Sequence, residues 1–260
     1  GAAYRPQVAV DREFIRDCIG GHSGKARMVL VGDSFAHSSA KHMAAIAQEL
    51  DFELRLIYGY SCPYPFRFRD IRQPANGRCN EVDEGLLRDE VVSALRQGDL
   101  LVVRLYFQNP RYIEYRWRGA PPPDAYDRAI SELGAAAAAR GAKLLVLGTN
   151  PGLSPDQGLS LRPQWFNVPP DRVFIRPEDS LETRYFHSLD EHMRKSFASH
   201  RSVSYFSVKP FICGAAGRCR IADGSRVLYS DDHHLSPYAH DLFYEDLLAH
   251  VRGLAANDKL

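Results

Sequence analysis

The chain has 260 residues, 45% of them apolar and 25% charged, with a formal net charge of +1. That length can bury a substantial core in one large domain or two small ones, and the mix is that of an ordinary globular protein. The near-zero charge argues against a nucleic-acid binder, which carries a clear basic excess.

No stretch reads as a membrane span. The most apolar region, LGAAAAARGAKLLVLG, is broken by Arg140, Gly141 and Lys143, well short of ~20 apolar residues. The opening GAAYRP has neither a Met nor a signal-peptide pattern and reads as a trimmed or mature fragment, compatible with an export signal or anchor upstream.

Residues 1–26 read as an irregular extension and residues 27–255 as one domain. RMVLVG (27–32) is an apolar run of buried-strand type bounded by Gly32. SSAKHMAAIAQEL (38–50) has helical spacing, with Met43, Ile46, Ala47 and Leu50 on one face. A second strand is expected at 52–60, followed by a Pro-rich loop at 61–80. An amphipathic helix over 81–98 ends at Gly98. A third strand at 99–107 precedes a helix over 121–141, with Asp124 a candidate N-cap and Gly141 at its end. The fourth strand is at 142–148. After an irregular 149–180, a helix is expected over 179–199 and a fifth strand over 202–208. The tail holds a Gly-rich loop, a short strand at 226–229, a polar turn and a closing helix. This alternation predicts an α/β fold, one parallel sheet covered by helices on both faces.

The five cysteines include two local pairs, Cys62 with Cys79 and Cys213 with Cys219, each bracketing loop-like sequence. Such short loops close readily as disulfides in an oxidising compartment; the other reading is unrelated thiols, with Cys18 left over. Neither pair has the C-x2–4-C spacing of a zinc site, so no metal is expected.

In open parallel sheets, sites gather at the carboxyl ends of strands. VLVGDSFAHS (29–38) puts Ser34 at such an end, near the start of a helix whose free N–H groups stabilise an oxyanion. A serine needs a base to take its proton, and the base needs an orienting partner. The polar turn YSDDHHLS (229–236) supplies Asp231 and His234, three apart, with Asp232 and His233 as neighbouring competitors. Asp231 would bond one ring nitrogen of His234 and leave the other facing Ser34. Asp33 is expected to bond nearby backbone groups instead.

Gly-Asp-Ser after the first strand and Asp-x-x-His before the closing helix resemble the SGNH (GDSL-type) hydrolases. With SCP, a later Cys and the YSDDHHLS ending, the chain looks like the SGNH domain fused to acyltransferase-3 membrane proteins, over roughly residues 27–245. The resemblance implies a three-layer α/β/α fold around a five-stranded parallel sheet. It implies acetyl transfer or ester hydrolysis through a serine ester, with a cell-envelope glycan as acceptor and a periplasmic location. No bound cofactor is implied; the acetyl donor, of acetyl-CoA origin, would be relayed by the membrane domain. The family's oxyanion hole also uses a Gly and an Asn. Gly59 is the candidate for the first. The usual Gly-x-Asn-Asp block is missing from RLYFQNP, where Asn109 stands in as a candidate beside Asn150 in GTNP.

YFQNPRYIEYRWRG (106–119) is dense in aromatics and arginine. Tyr106, Arg111, Tyr115 and Trp117 are therefore candidate substrate contacts, stacking on sugar rings or pairing with acidic groups; RPQWFN (162–167) is a second candidate wall. Three functions remain open at this stage: an O-acetyltransferase, an esterase with the same triad, and a non-catalytic glycan-binding module.

Overall fold

A computed structural model of the chain describes residues 17–20, 24–59, 81–106, 123–153, 174–179, 181–214 and 217–256. Its centre is a five-stranded, all-parallel sheet in the order β2-β1-β3-β4-β6. The strands are β1 (Arg27–Gly32), β2 (Glu53–Tyr58), β3 (Leu100–Arg104), β4 (Lys143–Leu147) and β6 (Val203–Phe206). β1 and β3 are buried throughout, as expected of strands covered on both faces.

The pleat sends alternate residues to opposite layers. Val29 and Val31 of β1 join Leu101 and Val103 of β3 on one face. There they meet α2 (Glu81–Ala94), α3 (Pro123–Ala138) and α4 (Leu181–Ser196) through Val91, Ile130, Leu133 and Leu189. Met28 and Leu30 point the other way, onto α1 (Ser34–Glu49), α6 (Pro237–Asp241) and α7 (Tyr244–Ala256) through Met43, Ile46, Ala239 and Leu247. The result is the expected α/β/α sandwich.

Several boundaries differ from the sequence reading. α1 starts at Ser34, not 38, because the Asp33 carboxylate caps it by accepting the Phe35 N–H at 2.8 Å. β3 stops at Arg104 rather than 107. The strand expected at 226–229 is only β9 (Arg226–Val227), paired with β8 (Ala222–Asp223) in a hairpin outside the main sheet. A second small pair joins β5 (Phe174–Ile175) to β7 (Cys219–Arg220), after the one-turn helix α5 (Lys209–Ile212). Cys213 and Cys219 are joined by a disulfide. Cys62 and Cys79 lie outside the described residues. Cys18 is a half-buried free thiol. Among the described residues no helix is long and apolar enough to cross a membrane.

At the amino ends of the strands, Arg27 and Asp99 form a buried ion pair. Arg27 Nε reaches both Asp99 oxygens at 3.2 and 3.1 Å, and its other nitrogens donate to the Ile19 and Ala94 carbonyls. Asp99 also accepts the Arg27 and Arg96 N–H groups. Removing one partner strands the other charge in a dry core, costing about 3–5 kcal/mol. Asp99→Ala should therefore lower the melting temperature by about 10 °C, read by circular dichroism. A change within 2 °C would show that the pair is dispensable.

Candidate active site

The strand order turns back at β1, so β1 and β3 flank the topological switch point, and their carboxyl ends open a crevice there. The chain leaves β1 through Gly32 and Asp33 and enters α1 at Ser34. Gly32 is required by close approach: a Cβ there would sit 1.9 Å from the Arg104 carbonyl oxygen across the sheet. Asp33 ties the two strand ends together. One oxygen caps Phe35, and the other accepts the Tyr106 N–H at 2.9 Å. Burial pushes the Asp33 carboxyl up to about 7, against the pull of the Phe35 N–H and the Arg104 charge. Arg104 is itself 1% exposed, and burial brings its guanidinium down to about 9 while Asp33 holds it up.

Ser34 is half-buried in the first turn of α1. Among the described residues its N–H has no acceptor, since the capping bond goes to Phe35. That amide is therefore open to a developing oxyanion.

The loop after β9 brings in the candidate base. Its ends are closed by a bridge between Tyr229 and Leu235. Inside it, Asp231 Oδ1 accepts the N–H groups of His233 and His234 at 2.9 and 2.7 Å, and His234 Nδ1–H donates to Oδ2 at 2.7 Å. A carboxylate only accepts, so this bond places the ring proton on Nδ1. His234 Nε2 is buried and has no hydrogen-bond partner among the described residues, and the ring lies 4.9 Å from that of Phe35, the residue after Ser34. Burial lowers His234 below its ordinary value despite the pull of Asp231. Burial raises Asp231, but the N–H donors of His234 and His233 outweigh it and hold the carboxyl below its ordinary value. The competing pair resolves separately: His233 Nδ1 bonds Asp232 at 2.5 Å.

Residues outside the sequence motifs hold this loop. Asn150, after β4, donates from Nδ2 to the His233 carbonyl at 2.8 Å. The Leu153 N–H donates to the Asp232 carbonyl at 2.6 Å, and the Tyr229 hydroxyl to the Pro151 carbonyl at 2.9 Å. Asn150 thus braces the histidine loop. The sequence offered it only as a stand-in, beside Asn109, for the family's oxyanion asparagine; its bonding partner lies 83 residues away. Phe35 and Arg104 carry no such signal in the sequence.

The other sequence candidates divide. The Gly59 N–H donates to the Gly32 carbonyl at 3.0 Å, extending the β1–β2 ladder. Tyr106 is buried, its ring stacked on Phe35 at 4.6 Å. Asn109, Arg111, Tyr115, Trp117 and residues 162–167 lie outside the described residues. Another Ser–His–Asp trio occurs on α3 and α4, where Asp127 Oδ2 contacts His192 Nε2 at 2.6 Å and accepts the Ser196 hydroxyl at 2.9 Å. There the carboxylate occupies the nitrogen that would have to face the serine, so the trio is no relay.

The family model of the SGNH domain (fused to AT3 domains) matches residues 5–247. Among solved structures, the fold is similar to the periplasmic domain of a lipopolysaccharide acetyltransferase from Salmonella ser. Paratyphi A. The TM-score is 0.65 at 12% identity, over 92% of this chain and 90% of that one. It is also similar to a Streptococcus pneumonia protein provisionally described as a platelet activating factor, with a TM-score of 0.53 at 10% identity, over 91% and 90%. No curated protein matches the sequence significantly.

Proposed function

The chain belongs to the SGNH domain family fused to AT3 domains, and on that premise we propose that it is a serine-dependent O-acetyltransferase acting on a cell-envelope glycan. The observation that carries this reading is the Asp231–His234 pair, whose imidazole ring lies against Phe35 in the first turn of α1 and whose Nε2 has no hydrogen-bond partner among the described residues. Ser34 Oγ attacks the acetyl carbonyl as His234 Nε2 takes its proton. The Ser34 N–H receives the charge on the carbonyl oxygen. The leaving group departs with the proton from His234, and acetyl-Ser34 remains. A sugar hydroxyl then gives its proton to His234 and attacks the ester; the Ser34 Oγ–acyl bond breaks, His234 returns the proton to Ser34 Oγ, and the sugar carries the acetyl group away.

The likeness to a lipopolysaccharide acetyltransferase domain supports a glycan acceptor and a periplasmic setting. The Cys213–Cys219 disulfide suits an oxidising compartment. The donor is an activated acetyl group handed over by the fused membrane domain. Nothing in this chemistry needs a tightly bound cofactor.

Incubation with an aryl acetate, followed by acid quench and peptide mass spectrometry, should find one acetyl group on the peptide containing Ser34. Added glycan acceptor should divert acetate from water to sugar. An unlabelled Ser34 overturns the mechanism; a label that passes only to water makes the domain an esterase.

Only a neutral imidazole accepts the proton, so kcat/KM should fall with decreasing pH as His234 becomes charged. Because burial lowers its pKa from the ordinary 6.5, the acid limb should lie below pH 6.5. An aryl-acetate pH profile recorded with a chelator present tests this, and a midpoint above 7 would contradict it.

A further inference from the structure

The loop that carries the base holds more ligating chemistry than a catalytic pair requires. Asp231, His233 and His234 each offer one donor atom, and the three atoms lie within 4.8 Å of one another. His234 Nδ1 is 2.7 Å from Asp231 Oδ2, and His233 Nδ1 is 3.7 Å from Oδ1 of the same carboxylate. Asp232 adds a second carboxylate, 2.5 Å from His233 Nδ1. Two imidazoles and a carboxylate around one point form a nitrogen–oxygen set suited to a zinc-type dication, with metal–ligand bonds of about 2.0–2.2 Å. Such bonds need the donors spread around a common centre, so binding requires these side chains to move apart. Asp231 and His233 are partly exposed, which leaves an entry path. The cysteine spacings, the only metal signal weighed in the sequence, did not point here.

We propose that Asp231, His233 and His234 form a reversible inhibitory site for zinc-type dications. The step is a proton rearrangement on one ring. A metal takes the Nδ1 lone pair of His234, so the neutral ring must carry its proton on Nε2. The nitrogen that has to accept the Ser34 proton then becomes a donor. The metal also withdraws Asp231 from its orienting bond. The inhibitory half of the proposal rests on His234 being the base; the binding half does not.

The tag-free chain is stripped with a chelator and titrated with Zn2+ in two assays, calorimetry and aryl-acetate hydrolysis, beside His233→Phe. That variant keeps a ring against Phe35 and Tyr106 and loses the ligand nitrogen. The parent should bind one ion and lose at least about 90% of its hydrolysis, restored by chelator. Measured against its own metal-free rate, His233→Phe should need at least about tenfold more Zn2+ for both effects. Equal Zn2+ affinity in the two proteins overturns the site. Tight, His233-dependent binding that leaves hydrolysis intact overturns the switch. Hydrolysis unaffected by His234→Ala overturns the catalytic reading and the switch with it, while the calorimetry still judges the site.

Discussion

Ser34→Ala should lower aryl-acetate hydrolysis by at least about 10^4-fold while leaving the fold and its stability unchanged. Removing the nucleophile of a serine triad leaves only the residual rate from oxyanion stabilisation and binding. The stability half follows from the geometry. Ser34 makes no hydrogen bond with its side chain among the described residues, and the helix is capped by Asp33 instead. Alanine is also a good residue for the first turn of a helix. The change should therefore stay within about 0.5 kcal/mol of the parent, as for substitutions that touch no cap, core or network. Parallel measurement of hydrolysis and thermal unfolding checks both halves. Retained hydrolysis would remove Ser34 from the mechanism. A large drop in melting temperature would mean that Ser34 has a structural role that the hydrogen bonding does not show.

The second large effect is expected from Asp231→Asn, a change of one atom. Asp231 Oδ1 accepts two backbone N–H groups, and an asparagine oxygen can keep both bonds. The loop should hold its shape. The Oδ2 position becomes an NH2 group, a donor facing His234 Nδ1. Nδ1 must then accept, which moves the ring proton to Nε2 and leaves Ser34 without a base. Hydrolysis should fall by about 10^3–10^4-fold with little change in stability. Asp231→Ala should lose activity as well as the loop bonds, so comparing the two separates orientation from folding. If Asp231→Asn hydrolyses within tenfold of the parent, the carboxylate does not set the tautomer.

Much of this arrangement was legible along the chain because its determinants are local. The apolar runs at 27–32, 52–60, 99–107, 142–148 and 202–208 each hold one strand of the central sheet. The Asp231–His234 bond spans three residues within one turn. Asp33, read as a carboxylate serving nearby backbone, does so. The start of α1 escaped because SFAH has no apolar period, although the Asp33 cap was the available signal. The two-residue strands β5, β7, β8 and β9 are too short to show any period.

Residues chosen by type alone depended on packing that no local pattern encodes. Tyr106 was singled out as an aromatic at a strand end, and the structure stacks its ring on Phe35 and binds its N–H to Asp33. Gly59 was singled out as an amide donor, and its N–H bonds the Gly32 carbonyl.

By itself the sequence determined the alternation of strands and helices, the family resemblance, and the choice of Ser34, His234 and Asp231 as the proposed nucleophile and acid–base pair. Periodicity, turn chemistry and short motifs act over a few residues and survive in a linear string. Only the tertiary structure decided how those parts meet. The parallel sheet sets the ends of β1 and β3 side by side, and Asp33 locks them across 73 residues. Asn150 braces the histidine loop across 83. The ring of His234 rests on Phe35, 199 positions earlier in the chain. Such contacts come from the burial and hydrogen bonding of distant segments, and no single stretch of sequence contains both sides of them.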